Sequence, residues 1–137
     1  TVTHTVRDWM RSPVVVIPAE MAVHYALTLM RRRGIRSLVV DLAGGETPQY
    51  GILTTTDIRD KIVGRGLNPK DMTVAEIMTS PIVSARPEWT LQEASRKMQE
   101  LGIHHLPVTD SQGALVGMVT STDIFFAVEE GGWTGVP

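Results

Sequence analysis

The sequence predicts an α+β fold, sandwich-like, in which two β-α-β-β-α repeats pack about a pseudo-twofold axis. Three observations lead there. The chain is written twice: Thr5-Val6, Met10 and Ser12-Pro13 return as Thr73-Val74, Met78 and Ser80-Pro81, at an offset of 68. At that offset 13 of the 36 positions from 5 to 40 are identical. Past a loop two residues shorter in the second copy the offset becomes 66, and Gly51, Thr54, Thr56, Asp57 and Ile58 match Gly117, Thr120, Thr122, Asp123 and Ile124. Secondly, each copy alternates short β-branched runs with stripes of helical period, the pattern of mixed strands and helices. Thirdly, one copy of about 60 residues is too small to cover both faces of its own sheet, whereas the whole chain can bury a shared core.

The elements follow in order. Short helical lead-ins are expected at 5–10 and 73–78. Val14 to Ile17 and Ile82 to Ala85, each after Ser-Pro, read as strands. Val23, Ala26 and Met30, with Leu27 beside them, form one helical face, repeated as Leu91, Ala94, Met98 and Leu101. Gly34 and Gly102 then stop each helix in the manner of a C′ glycine. Ile35 to Val40 and Ile103 to Val108 are strands, followed by turns at Ala43-Gly44-Gly45-Glu46 and Asp110-Ser111-Gln112-Gly113. A further strand ends at Thr54 or Thr120, and a short helix closes each copy, Ile58 and Ile62 being matched by Ile124 and Val128. The boundaries are repeat 1 at 5–65, a linker at 66–72, repeat 2 at 73–129 and a glycine-rich tail at 130–137 that contains Trp133.

Composition excludes several classes of function. The chain has 137 residues and no cysteine, which removes a disulfide framework, thiol catalysis and thiolate metal sites. Thirteen basic residues against fifteen acidic ones, a net charge of −2, leave no electrostatic footprint for duplex nucleic acid or an anionic membrane. No apolar run approaches the roughly 18 residues of a membrane-spanning helix, and no signal peptide is recognisable. The chain starts at Thr1 without methionine, as expected of a trimmed or excised piece, and a cytoplasmic location is expected.

The strongest local signal is Gly-x-x-Thr-x-x-Asp at a strand-to-helix junction, present as Gly51/Thr54/Asp57 and Gly117/Thr120/Asp123. It has two physical readings. Threonine at the N-cap and an acid at N3 form a capping-box-like pair that satisfies free backbone N–H groups. The same hydroxyl and carboxylate, at the end of a sheet, can also hold the adjacent hydroxyls of a ribose.

Taken together, Met-x-Ser-Pro at 10–13, Met-Thr-Ser-Pro at 78–81, Gly-Ile-Arg-Ser-Leu-Val-Val at 34–40, Gly-Ile-His-His-Leu-Pro-Val at 102–108 and the two Gly-x-x-Thr-x-x-Asp motifs resemble the tandem CBS domain, or Bateman module. The resemblance covers about residues 5–129. It implies a regulatory binding module rather than an enzyme, one that takes adenosine compounds (AMP, ADP, ATP, NAD or S-adenosylmethionine) in clefts between the repeats and needs no cofactor. It maps ribose contacts onto Thr54, Asp57, Thr120 and Asp123. Walls for the adenine map onto Val15, Ile35, Val83 and Ile103, and phosphate contacts onto Arg36, His104 and His105. It also implies a disc-like homodimer formed through the repeat helices and a regulated partner that is a separate protein or an adjoining region. A ligand-free dimerisation scaffold is the alternative.

The copies differ at Arg36-Ser37 against His104-His105 and at Val39 against Pro107, so two working sites would differ in phosphate preference and pH response. On a strand, adjacent His104 and His105 point to opposite faces, which leaves a packed role and a phosphate contact both open. No His-x-x-x-His spacing suits zinc, no metal ligand set is expected, and no base–nucleophile pair or phosphate-cradling glycine loop suits an enzyme. Arg31-Arg32-Arg33 falls where cations complement a helix C-terminus. Met10, Met30, Met78 and Met98 read as core filler. Phe125 and Phe126 are adjacent on a helix and cannot share one core stripe, so one is expected to meet a partner.

Overall fold

The computed structural model describes residues 4–42, 45–46 and 48–131. The start of the turn expected at 43–46 and the tail with Trp133 lie outside the described residues. Two compact units form, and they are offset from the sequence repeats: one is Val15–Ile82, the other joins Thr1–Val14 to Val83–Pro137. Each unit thus contains the body of one repeat and the lead-in of the other.

In the unit Val15–Ile82, strand β1 (Val16–Pro18) pairs parallel with β2 (Ser37–Asp41), and β2 pairs antiparallel with β3 (Tyr50–Thr54). Helix α2 (Val23–Arg33) buries Val23, Ala26 and Met30 against the sheet. It ends because Gly34 takes a left-handed conformation (φ 63°), from which its N–H reaches the Met30 and Arg31 carbonyls. Arg31, Arg32 and Arg33 lie exposed in that last turn, where their charge opposes the partial charge of free carbonyls. The core of Ile17, Leu38, Val40, Leu53 and Ile62 is completed by Val74 and Ile77 of helix α4 (Val74–Ile77). That lead-in is stitched on by Val23 N–H to Met72 O (2.8 Å) and Val74 N–H to Met21 O (2.8 Å).

The other unit repeats the plan. Helix α1 (Val6–Trp9) delivers Val6 to a core of Ala85, Leu91, Ala94, Met98, Leu106, Val108, Val119 and Ala127. Helix α5 (Leu91–Leu101) opens on a capping box of Thr90 and Glu93 and stops at Gly102 (φ 65°). Strands β4 (His105–Thr109) and β5 (Leu115–Thr120) pair antiparallel, and α6 (Ser121–Gly131) closes the unit. Between β4 and β5, Asp110 Oδ1 accepts from the N–H groups of Gln112 and Ala114, and Gly113 takes φ 82°, so the expected turn at 110–113 is built by its first and last residues.

Four departures from the sequence reading have local causes. The strand expected at Ile82–Ala85 shrinks to one parallel bridge, Ala85 to Val108. In the first copy Val39 N–H bonds Val15 O (3.2 Å); its counterpart Pro107 has no N–H to give, so the pairing cannot extend. Leu101, expected in the buried stripe, is 43% exposed at the helix end. In the first copy the closing helix α3 (Thr55–Ile58) widens over Arg59–Val63, with Gly64 N–H reaching Arg59 O, five residues back. Such a π turn inserts one residue of phase. Ile62 is therefore matched in the core by Ala127, and Val128, expected to match it, is exposed. Lastly, both Phe125 (64%) and Phe126 (43%) are exposed, rather than one of them.

Candidate functional site

The two Thr/Asp motifs occupy equivalent junctions, one in each unit. Thr54 ends β3 in an extended conformation and caps α3, its Oγ1 accepting from Asp57 N–H at 3.3 Å. In return Asp57 Oδ2 accepts from Thr54 N–H (3.0 Å) and Oγ1 (3.3 Å). In the other unit Asp123 Oδ2 accepts from Thr120 N–H (2.9 Å) and Oγ1 (3.0 Å), and Asp123 N–H donates to Thr120 Oγ1 (3.3 Å). Both carboxylates are buried. The capping arrangement is thus fully made at both motifs.

Burying a carboxylate requires compensation at its second oxygen as well. The two units supply it differently. Asp57 Oδ1 accepts from Thr79 Oγ1 (3.3 Å) and pairs with Lys61 Nζ (3.1 Å), one turn along the helix; Lys61 also donates to Ile77 O at 2.8 Å. Asp123 Oδ1 accepts from Arg11 Nε at 2.7 Å, and Ala127 stands four residues on. Arg11 and Thr79 are the counterparts at offset 68 within Met-x-Ser-Pro. Among the described residues no buried side-chain nitrogen or oxygen lacks a partner. Arg11, Thr79 and Lys61 were not singled out from the sequence. The signal was the unlike residue at the same place in two copies of one motif, meaningful only once the lead-ins are seen to reach the motif acids.

The motif glycines have a steric reason. A Cβ at Gly51 would stand 2.8 Å from Met78 Sδ and 3.1 Å from Thr79 O; at Gly117 it would stand 2.7 Å from Met10 Sδ and 3.1 Å from Arg11 O. The lead-in runs across this glycine, held by paired backbone bonds between Ile52 and Thr79 (2.8 and 2.9 Å) and between Arg11 and Met118 (2.8 and 3.0 Å). Met10 and Met78, partly buried, pack against the cores as they seat the lead-ins on the motifs, and Met30 and Met98 are buried within the cores.

The other residues singled out from the sequence fall as follows. Arg36 is exposed, and its carbonyl accepts from Thr55 N–H (3.1 Å), directly after the motif threonine. His104 is tied in the same way, its carbonyl accepting from Ser121 N–H (3.0 Å), and its Nδ1 lies 3.4 Å from Ser121 Oγ. Ile103 and His104 line a groove of about 390 Å³ together with Met98, Ser121 and Ile124, all in one unit. His105 is half-buried in β4 and registers against Thr120, while His104 stands just before the strand. Val15 and Ile35 are half-buried against the core of Val15–Ile82, and Val83 is 41% exposed and does not line the groove. Away from the motifs, the exposed Arg59 guanidinium bonds Asp60 (2.8 Å) and holds that carboxyl below its ordinary range. No helix among the described residues is long and apolar enough to cross a membrane.

Comparison with known proteins agrees with this geometry. The sequence profile of the CBS domain matches residues 6–64 and again 74–130. An uncharacterized protein of Methanopyrus kandleri is 36% identical over 107 residues, which are 78% of this chain and 53% of that protein. A homoserine O-acetyltransferase of Methanohalobium evestigatum is 33% identical over 129 residues, only 25% of its length. The chain thus spans about half or less of the first curated relatives it matches. Hypoxic response protein 1 of Mycobacterium tuberculosis is 31% identical over 120 residues, 88% of this chain and 82% of that one. Among solved structures, a hexameric CBS-CP12 protein from bloom-forming cyanobacteria superposes with a TM-score of 0.86 at 31% identity, covering 95% of this chain and 72% of that one. The CBS domain pair of protein MJ0100, solved in complex with 5′-methylthioadenosine and S-adenosyl-L-methionine, gives 0.81 at 25% identity and covers 95% and 99% of the two chains. With two matched copies, the duplicated fold and the paired motifs in agreement, the chain belongs to the CBS domain family as a tandem pair, a Bateman module.

Proposed function

We propose that this chain is a regulatory module that binds an adenosine-containing ligand at its Thr/Asp motifs. The observation that carries the reading is the pair of buried carboxylates. Each ties one oxygen to its own threonine and turns the other toward side-chain donors from outside the motif: Arg11 at Asp123, Thr79 and Lys61 at Asp57. A ribose diol is a donor pair of the kind such an oxygen accepts. Thr54 with Asp57 and Thr120 with Asp123 hold the ribose in this reading. Val15, Ile35, Val83 and Ile103 flank the base, and Arg36, His104 and His105 approach phosphates. A likeness to a CBS pair solved with two adenosine compounds supports the ligand class. The module is non-enzymatic, acts in the cytoplasm, and passes its state to a separate protein or an adjoining region by favouring one arrangement when bound. A thermal-shift panel of AMP, ADP, ATP, NAD and S-adenosylmethionine tests it. A true ligand at a hundred times its dissociation constant adds about 2.7 kcal/mol, a shift of several degrees. A flat response to all five rejects the reading.

A dimerisation scaffold is the second reading, favoured by the exposed apolar side chains Phe125, Phe126 and Val128 on α6. Three such residues on one helix form an unusual surface for an isolated chain, and a second copy is the occupant that the family's assemblies suggest. A Phe125→Glu, Phe126→Glu chain is expected to sediment as a monomer with its melting temperature little changed at low protein concentration. An unaltered dimer, or a native chain that is already monomeric, counts against this surface.

A further inference from the structure

We propose that Arg11 is the residue that selects a 5′-phosphorylated ligand at the Thr120/Asp123 motif; this rests on the adenosine-ligand reading and adds the charge class of the ligand to it. The two motifs are alike in threonine, acid and capping bonds, yet their counter-cations come from different places. Asp57 is balanced by Lys61 of its own closing helix, and Lys61 is itself committed to Asp57 and to the Ile77 carbonyl, with its side chain 32% exposed. Thr79, on the lead-in, adds only a hydroxyl. At Asp123 the arrangement is inverted: the residue one turn along the helix is Ala127, buried in the core, and the cation arrives on the lead-in as Arg11. The helix cation Lys61 is thus held between the acid and a backbone carbonyl. A cation on the lead-in can serve the acid and something beyond it.

The geometry of Arg11 fits the second role. Its Nε is 2.7 Å from Asp123 Oδ1, while the side chain is 66% exposed and the acid's is 4% exposed. A guanidinium presents five donors in a rigid fork. With Nε spent on the carboxylate and the side chain mostly exposed, the two terminal nitrogens are left as a planar, permanently charged pair, the geometry that takes two phosphate oxygens side by side. A ribose held by Asp123 would carry its 5′ substituent on the same small sugar ring that meets this ion pair. A phosphate there completes the guanidinium, whereas a neutral 5′ group leaves the cation without a second anion.

The test is calorimetric titration of AMP and of adenosine into the full native chain, Arg11→Thr and Arg11→Lys. Arg11→Thr installs the hydroxyl that the other unit already uses at this place, so Asp123 keeps a donor. The native chain is expected to prefer AMP, and Arg11→Thr to lower the AMP-to-adenosine affinity ratio roughly tenfold or more, the scale of a lost charge-assisted contact. Arg11→Lys is expected to recover part of that ratio, since it restores the charge without the fork. An unchanged ratio in Arg11→Thr overturns the proposal. So does equal loss of both ligands, which would make Arg11 a support for Asp123 rather than a reader of phosphate. If the native chain takes neither compound, the proposal for Arg11 falls, and the five-compound thermal-shift panel decides separately whether the adenosine reading falls with it.

Discussion

A Gly51→Val chain is expected to melt far below the native chain, with a loss of roughly 1–3 kcal/mol or more from overpacking. The first methyl position would already stand 2.8 Å from Met78 Sδ. The sulfur can move, being the far end of a flexible side chain. The Thr79 carbonyl at 3.1 Å cannot follow, because Ile52 N–H holds it at 2.8 Å. Valine adds two further methyls to that crowding, so the lead-in must lift from β3, and with it Val74 and Ile77, both buried in the core. A double-mutant cycle with Met78→Ala checks the mechanism by chemical denaturation. If crowding by Met78 is the cause, Met78→Ala will cost stability alone yet recover part of the loss in the pair, giving a coupling within the roughly 0.5–3 kcal/mol seen for residues in contact. Additive losses would show that the glycine matters for another reason.

The Thr120→Ala, Asp123→Ala chain is expected to remain folded and to lose adenosine-ligand binding at its motif altogether. Two effects separate here. The pair forms a complete capping box, so its removal costs stability, about 1 kcal/mol for the cap. Removing the acid also leaves Arg11 without its carboxylate, which the guanidinium tolerates because it is largely exposed. Binding is the larger effect, since both groups assigned to the ribose are gone. Titration calorimetry and a denaturation curve on the same sample read the two effects independently. Unchanged affinity would reduce the motif to a helix cap, and a collapsed fold would mean that the cap matters more than its own hydrogen bonds suggest.

Local chemistry was legible in the sequence. Gly34 and Gly102 stop their helices where an αL residue was expected, and the α2 stripe buries the residues its period selects. Thr54/Asp57 and Thr120/Asp123 form the caps their spacing allows. What escaped the reading is non-local or depends on the loss of one group. Pro107 looked like an ordinary divergence from Val39, but the missing N–H removes the bond on which its neighbouring strand depends. One residue of π phase at Arg59–Val63 moved the buried position from Val128 to Ala127. For the site, the repeated acids were visible and their partners were not. Arg11 is 112 positions from Asp123, and Thr79 is 22 from Asp57. No periodicity connects residues that meet only after the lead-ins cross over.

That crossing also bears on the order in which the chain folds. The unit Val15–Ile82 is one uninterrupted stretch, so its contacts are comparatively close in sequence. The other unit has a hole of that same length in its sequence, and Val6 cannot reach Leu91 until the ends of the intervening stretch approach each other. Closing so long a loop from a disordered chain carries an entropic penalty that grows with the logarithm of its length. Folding Val15–Ile82 first removes most of it. Val15 then bonds β2 through Val39, and Ile82 bonds β3 through Tyr50, so both ends lie along one three-stranded sheet. At about 4.8 Å between neighbouring strands, the two ends are a few strand widths apart rather than a random coil's span. The split unit is therefore expected to close at a lower entropic cost once the contiguous unit has formed, which refolding kinetics followed by a probe in each unit would check.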